Sequence, residues 1–398
     1  MDRGRLSLGG PDCRRDREDN PSRGRASLRD RRSAPGGVGP RLTGIECDWL
    51  EIEFRPGLEE AVRAEVQQCI PAASFQVVAH RPCGVVSGAA IDRIETLGTI
   101  VAVHALVRFA IPRPRALLGD ENLRRIAALL RGVIGRSAAN WITFRLSAAG
   151  SSSPVLRRLR SAIAEITGCS ETTAEPSLHL RLWPDAHGWC LAARTTPLPL
   201  TVRPWRGAHL PGALDASVAR AILLLGGHHA RQRVLNIACG AATLLIERRA
   251  IGPWRAGVGV DIDARAIDAA RQNLASASVQ GHLIRGDLEA LPFPDASFDA
   301  VVADPPFGML NSATEGTYPA LIDEALRVVS PDGYVAIVSA RRRLLDACLQ
   351  RRTDVRSVRP PLTCAIPLRN GTILLTIRFF GRRRGEPARR GRPNVGLP

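Results

Sequence analysis

The sequence predicts an α/β chain: a parallel sheet wound with helices and closed by an antiparallel hairpin, preceded by an α+β region. Three stretches carry this expectation. Residues 234–243 read as a strand, a turn of small residues and a helix start. Residues 258–261 read as a second strand ending on an acid, and residues 298–308 as an apolar strand that stops at Asp-Pro-Pro-Phe.

Upstream, residues 49–54, 58–69, 75–79, 83–87 and 101–109 give a β-α-β-β-β outline, with a short helical piece at 91–97. That order predicts a ferredoxin-like unit. A helix over 121–134 puts Leu123, Ile126, Leu130 and Val133 on one face. A strand follows at 141–147, then a Ser-rich loop, then a helix with Leu156, Leu159, Ile163 and Ile166 as its inward stripe. Strands at 178–182 and 190–194 flank a turn at Pro184-Asp185. Further on, a helix over 244–250 follows the small-residue turn. Asp263 caps a helix carrying Ile267, Ala270 and Leu274, and a strand at 282–285 ends at Gly286-Asp287. A strand at 333–340, a helix at 341–350 and a hairpin of 355–365 with 371–380, turning at Asn370-Gly371, complete the order.

The strand ends carry the chemistry. Val301 and Val302 suit a strand covered on both faces. Pro305 and Pro306 fix φ and donate no hydrogen bond, so the chain leaves the sheet stiffly with free carbonyls. Asp304 and Phe307 then form an acceptor beside a flat apolar plate, which suits a planar amino group on a ring. Pro-Pro also ends ordinary strands; the surroundings favour a site. The loop with Asn236, Cys239, Gly240, Ala242 and Thr243 lets backbone approach a ligand and offers helix N–H groups. Asp261, with Ile262 beside it, is placed to accept from ribose hydroxyls, and Asp287, beside Leu288, to accept from an adenine amine. The glycine pattern is too sparse to clasp a pyrophosphate. An adenosine without phosphates fits, and S-adenosylmethionine is one.

On these residues, positions 205–380 resemble a Rossmann-like, class I S-adenosylmethionine methyltransferase domain, closest to the branch that methylates the 2-amino group of guanine in tRNA. The runs 285–295, 298–308 and 262–273, together with Tyr318 and Leu326-Arg327-Val328-Val329, stand as in that branch. Residues 111–200 resemble the THUMP domain that precedes such enzymes, best in the helix after the Ser-rich loop. The resemblance implies S-adenosylmethionine held by Asn236, Cys239, Gly240, Ala242, Thr243, Asp261, Ile262, Asp287 and Leu288. It implies catalysis at Asp304, Pro305, Pro306 and Phe307, with no metal, and tRNA gripped at its acceptor end. Two positions depart from the pattern: Asn236 replaces an acid and Ala242 replaces a glycine. If φ there must be positive, Ala costs about 1 kcal/mol, roughly five-fold in affinity.

Arg157, Arg158 and Arg160 flank the apolar stripe of that helix and, with Arg203 and Arg206 at the entry to the catalytic region, are the expected phosphate contacts. Arginines on a helix back are more often a solvated face. Trp205 either stacks on a base or plugs a junction. Two alternatives stay open: another exocyclic amine (adenine N6, cytosine N4, guanine N2 in rRNA, a protein glutamine), or an RNA-binding protein with weakened cofactor binding. A small-molecule methyltransferase has no use for the basic region upstream.

The 398 residues leave room for several domains: a tail at 1–44, a ferredoxin-like domain at 45–110, a THUMP-like domain at 111–200, a catalytic domain at 201–381 and a tail at 382–398. Each tail carries a net charge of +5, which leaves +7 of the chain's +17 for the body; both tails read as disordered. A basic body suits a polyanion. Yet all 55 basic residues are Arg, which points to base-composition bias and weakens arguments from Arg number. The first tail lacks the apolar core of a secretory signal, and no apolar run reaches bilayer length, so a cytoplasmic location is expected. The nine cysteines are scattered without a Cys-x-x-Cys pair, which implies neither disulfides nor zinc. A monomer is compatible with all of this, and an activator subunit stays open.

Overall fold

The computed structural model describes residues 45–79, 81–136, 139–150, 153–305, 317–368 and 371–383. Most of both expected tails lies outside these residues.

The first half is built from β1 (Trp49–Phe54), α1 (Glu59–Cys69), β2 (Ser74–Val77), β3 (Cys83–Ser87), α2 (Ile91–Glu95) and β4 (Ile100–Phe109). A 3-10 turn at Pro114–Leu118 leads to α3 (Asp120–Gly135), β5 (Thr143–Ala148), α4 (Pro154–Thr167), β6 (Ser170–Glu171), β7 (Leu178–Asp185) and β8 (Gly188–Arg194). All these strands join one eight-stranded sheet ordered β2-β3-β1-β4-β8-β7-β5-β6. The expected boundary at residue 110 therefore divides two halves of a single sheet. The reason is β4. Every residue in it but Arg108 is buried, so it cannot stand at an edge. It pairs β1 on one side and β8 on the other, with Phe109 opposite Trp189. Helix α4 starts where expected: the Ser153 hydroxyl accepts from the Leu156 N–H at 3.3 Å, and Leu156, Leu159 and Ile163 are buried.

The second half comprises α5 (Ala216–Gly226), β9 (Arg233–Ile237), α6 (Thr243–Ile251), β10 (Ala256–Asp261), α7 (Ala264–Ser276), β11 (His282–Arg285) and β12 (Phe298–Ala303). Then come α8 (Thr317–Val328), β13 (Val329–Ser339), α9 (Arg342–Gln350), β14 (Val355–Ser357), β15 (Leu362–Leu368) and β16 (Gly371–Arg382). The sheet runs β11-β10-β9-β12-β13-β16-β14, with β15 also on β16. β9 to β13 pair in parallel and β16 runs against β13, so the α/β architecture with an antiparallel end is as expected. Two details differ. The strand expected over 355–365 is broken into β14 and β15 by Pro360 and Pro361, which have no N–H to donate to β16. And β16 extends through Arg382, taking in the first residue of the expected C-terminal tail.

Helix α5, absent from the expectation, joins the halves. Its Ala216, Ser217, Val218, Ala219, Ala221, Ile222 and Leu223 are all buried, as in a helix covered on several sides. It packs against α1 and α6, and one hydrophobic core runs from β1 and β4 through α5 to α6. A second core lies on the opposite face of the second sheet, beneath α8. Across the junction Arg55 pairs with Asp215 at 2.8 Å, Arg359 pairs with Glu60 at 2.6 Å, and the Ala365 N–H donates to the Pro56 carbonyl at 3.0 Å.

Candidate active site

Strands β9, β10 and β11 step outward in one direction while β12 lies on the other side of β9. The carboxyl ends of β9 and β12 thus flank the point where strand order reverses, where open α/β sheets bind ligands. Parallel register sets Val302 beside Asn236 and Ala303 beside Ile237, so the loop after β9 and Asp304 after β12 emerge as neighbours.

The β9 loop is tightly wound. Ala238, Gly240 and Ala242 have φ of +50°, +52° and +64°, three left-handed residues at alternate positions. Only glycine adopts this conformation without strain. A Cβ at Gly240 would meet nothing within 4 Å, so open space lies against the backbone there. Ala242 is fully buried and leads into α6 with no side-chain cap, which leaves N–H groups of the first turn free for a ligand. The Thr243 hydroxyl is not among the groups facing the ligand space; it accepts from Arg206 Nη2 at 2.9 Å. Cys239 is buried against Gly259 of β10, and burial pushes its thiol up to about 12, which suits packing and not nucleophilic attack.

Asp261 ties the loop to β10. Its Oδ2 accepts from the Gly240 N–H at 2.9 Å and its Oδ1 from the Asp263 N–H at 3.0 Å, leaving further lone pairs outward. Ile262 next to it is 63% exposed, an uncovered apolar side chain at the rim. Asp287 is exposed and its Oδ1 accepts from the Glu289 N–H at 3.0 Å, while Leu288 packs inward on the second core. Arg327 holds this segment from α8, donating to the carbonyls of Leu291 and Phe293 at 3.0 and 2.7 Å.

Two buried oxygens beside this loop, one on β9 and one just past β12, have no protein partner among the described residues. Asn236 donates to the carbonyls of Ile237 and Val302 at 3.2 and 3.3 Å, but its Oδ1 is sealed and unpaired. Asp304 keeps some exposed surface as a residue, yet its Oδ1 is also sealed and unpaired. Burial raises its carboxyl from 3.8 to about 7. Pro305 is buried beside it; Pro306 and Phe307 lie outside the described residues. Sequence reasoning missed Ser339, at the end of β13, two residues past Ile337 as Pro305 is two past Ala303. Its hydroxyl bonds Tyr318 Oη at 2.7 Å and accepts from the Arg341 N–H at 2.8 Å. A lone serine at a strand end carries no sequence signal; Tyr318 was visible only through the family pattern.

The arginines divide. Arg157 and Arg158 are exposed on α4, whereas Arg160 pairs with Glu171 at 2.7 Å. Arg203 and Arg206, expected at phosphates, point into the junction. Arg203 pairs with Glu247 at 2.8 Å and donates to the Leu200 and Gly98 carbonyls; Arg206 donates to Leu214 and Thr243. Arg203, engaged through Nε and both terminal nitrogens, is committed to the junction; Arg206 is bonded there through Nη2. Trp205 packs against the core with Arg206 over its ring.

Such a site, with an acid after each of β10, β11 and β12 and a strained small-residue loop after β9, fits S-adenosylmethionine: the free N–H groups, the two orphaned oxygens and the bare Ile262 are the features such a ligand satisfies. Comparison with known proteins agrees. Residues 203–360 match the family model described as RMKL-like, methyltransferase domain. The tRNA (guanine(6)-N2)-methyltransferase of Thermus thermophilus is 29% identical over 330 residues, spanning 78% of this chain and 95% of that protein. The tRNA (guanine(10)-N2)-dimethyltransferase of Methanothermobacter thermautotrophicus is 30% identical over 37% of this chain and 44% of its own. Among solved structures, TrmN from Thermus thermophilus superposes with a TM-score of 0.66 at 22% identity, covering 84% of this chain and 99% of that one. SMU.472 in complex with SAH gives a TM-score of 0.59 at 16% identity, covering 85% and 98%. The chain is an S-adenosylmethionine-dependent methyltransferase of the class I fold. Residues 203–360 carry its likeness to the RMKL-like methyltransferase domain.

Proposed function

We propose that this enzyme methylates the exocyclic N2 of a guanosine in tRNA. The observation that carries the reading is Asp304: a sealed, unpaired carboxyl oxygen at the switch point, followed by a proline carbonyl, beside a loop suited to the cofactor. A relative named as a tRNA guanine-N2-methyltransferase and matched along 95% of its length supports the substrate class.

In this reading residues 236–243, Asp261, Ile262, Asp287 and Leu288 hold S-adenosylmethionine, which supplies an electrophilic methyl on its sulfonium. A guanine turned out of its stack enters against Phe307. Its 2-amino lone pair is delocalised into the ring and nucleophilically weak. Asp304 and the Pro305 carbonyl accept the amino hydrogens, which turns the lone pair toward the methyl. The C–S bond breaks as the N–C bond forms, and the positive charge developing on nitrogen lies against Asp304. With a carboxyl poised near 7, Asp304 then takes the proton that nitrogen gives up. Positioning supplies most of the acceleration. Arg157 and Arg158 remain as phosphate contacts on the first sheet unit, which holds the tRNA through the THUMP-like half. No described helix is long and apolar enough to cross a membrane.

The test is methylation of total tRNA followed by mass identification of the modified nucleoside. N2-methylguanosine made by the parent and lost in Asp304→Ala is the expected result. N6-methyladenosine as the product, or turnover by Asp304→Ala, overturns the reading.

A further inference from the structure

Ala242 holds a left-handed φ of +64° without being glycine, so something around it must enforce that conformation. Behind the loop, Asn273 of α7 donates to the carbonyls of Ala241 and Ala208 at 3.1 and 3.0 Å and accepts from the Ala208 N–H at 2.9 Å. Arg206 grips the Thr243 hydroxyl at 2.9 Å. One turn further along α6, Glu247 is 1% exposed and takes Arg203 on Oε1 and Arg220 on Oε2, both at 2.8 Å. Arg220 continues to Glu65 of α1 at 3.1 Å. Glu65 is equally buried and is itself fixed by the N–H groups of Gly98 and Thr99, at 2.9 and 2.8 Å, and by the Thr99 hydroxyl at 2.6 Å. Even the glycine at 98 is accounted for: a Cβ there would lie 2.5 Å from the Arg220 guanidinium carbon.

A buried ionic chain of this kind is a poor source of stability, because desolvation offsets most of its attraction. Its use is directional, since each link holds only one geometry. Taking residues 238–242 as the cofactor loop, the reading on which this rests, we infer that Glu247, Arg203, Arg220 and Glu65 are positioning residues that brace the start of α6 and hold Ala242 left-handed before the cofactor arrives. The strain then falls on folding and not on binding. The first sheet unit, through Glu65, becomes part of the frame of the cofactor site although no residue of it enters the site.

The brace is tested by a double-mutant cycle on the full chain, titrated with S-adenosylhomocysteine by calorimetry. Once the brace is cut, Ala242 relaxes and binding must restore the strained form. Glu247→Gln is therefore expected to weaken binding about five-fold with Ala242 in place. In the Ala242→Gly background the same substitution weakens it by under about two-fold, because glycine adopts this φ without strain. Equal weakening in both backgrounds marks a general structural role and overturns the inference, as does no weakening in either. A parent protein that binds no S-adenosylhomocysteine removes the cofactor-loop reading itself, and the brace with it. If Glu247→Gln does not fold, Arg203→Met enters the same cycle with the same outcomes.

Discussion

Neighbouring strands β9 and β12 end in opposite ways. After β9 the loop is bonded at nearly every turn: Cys239 to Val260, Gly240 to Asp261, Ala242 to Cys239, with its strain held from behind. After β12 the chain delivers a carboxyl oxygen into a sealed place and gives it no partner among the described residues. On the proposed reading the difference separates two jobs. A surface that binds a fixed cofactor gains from being rigid beforehand. A group that must stabilise charge developing on substrate has to be left unsatisfied until substrate comes.

Breaking the β12 side has the largest effect. Asp304→Ala should lower kcat by about a hundred- to a thousand-fold while leaving S-adenosylhomocysteine affinity nearly unchanged, read by single-turnover kinetics and calorimetry. The pH profile sharpens the same point. Since Asp304 must be ionised to accept the amino hydrogens, kcat/KM should fall about ten-fold per unit below about 7. Stability should run the other way. An unfolded aspartate ionises near 3.8 but Asp304 near 7, so this group favours the fold at low pH and loses that contribution as pH rises between the two values. Melting curves of Asp304→Asn should lack that decline.

On the β9 side the expected changes are smaller and fall on stability. Ala242→Gly should stabilise the fold by about 1 kcal/mol, seen in urea unfolding, with little change in cofactor affinity. The sequence alone pointed to weakened binding at this position; an enforced conformation moves the effect. The arginines extend the contrast to RNA. Arg203→Ala should cost about 1–3 kcal/mol of stability, because it leaves Glu247 Oε1 buried without its partner while Arg220 keeps Oε2. Arg157→Ala and Arg158→Ala should leave stability alone and each lower the salt dependence of tRNA binding by about one ion. An unchanged salt slope for both would remove α4 from the RNA interface.

What the sequence revealed follows from how local each signal is. Strand ends bearing Asp261, Asp287 and Asp304 were legible because chemistry and element boundary sit in the same few residues. The strands and amphipathic helices of the first half were legible one at a time, by period. Their assembly was not: that β4 pairs β8 depends on residues 80 to 90 apart in the chain and related by no motif. Helix α5 was hidden because its burial on several sides erases the stripe by which helices are recognised, although Asp215 before Ala216 and Ser217 is an N-cap signal. That Arg203 is bound to Glu247 and Arg206 to Thr243 could not be foreseen, because a buried arginine and a phosphate-binding one look the same until the partner is seen in space. Orphaned oxygens such as Asn236 Oδ1 have no sequence signature at all.

The pairing of Glu60 with Arg359 spans 299 residues. A ribosome adds about 5–20 residues each second, so α1 waits roughly 15–60 s for the segment that closes over it. During that interval the turn at Arg55 to Gly57, which later meets Asp215 and Ala365, stands bare on a nascent chain. Chains stalled before β15 should be cleaved by protease near that turn and finished chains should not. For this protein, birth is a period of exposure that ends only with the last hairpin.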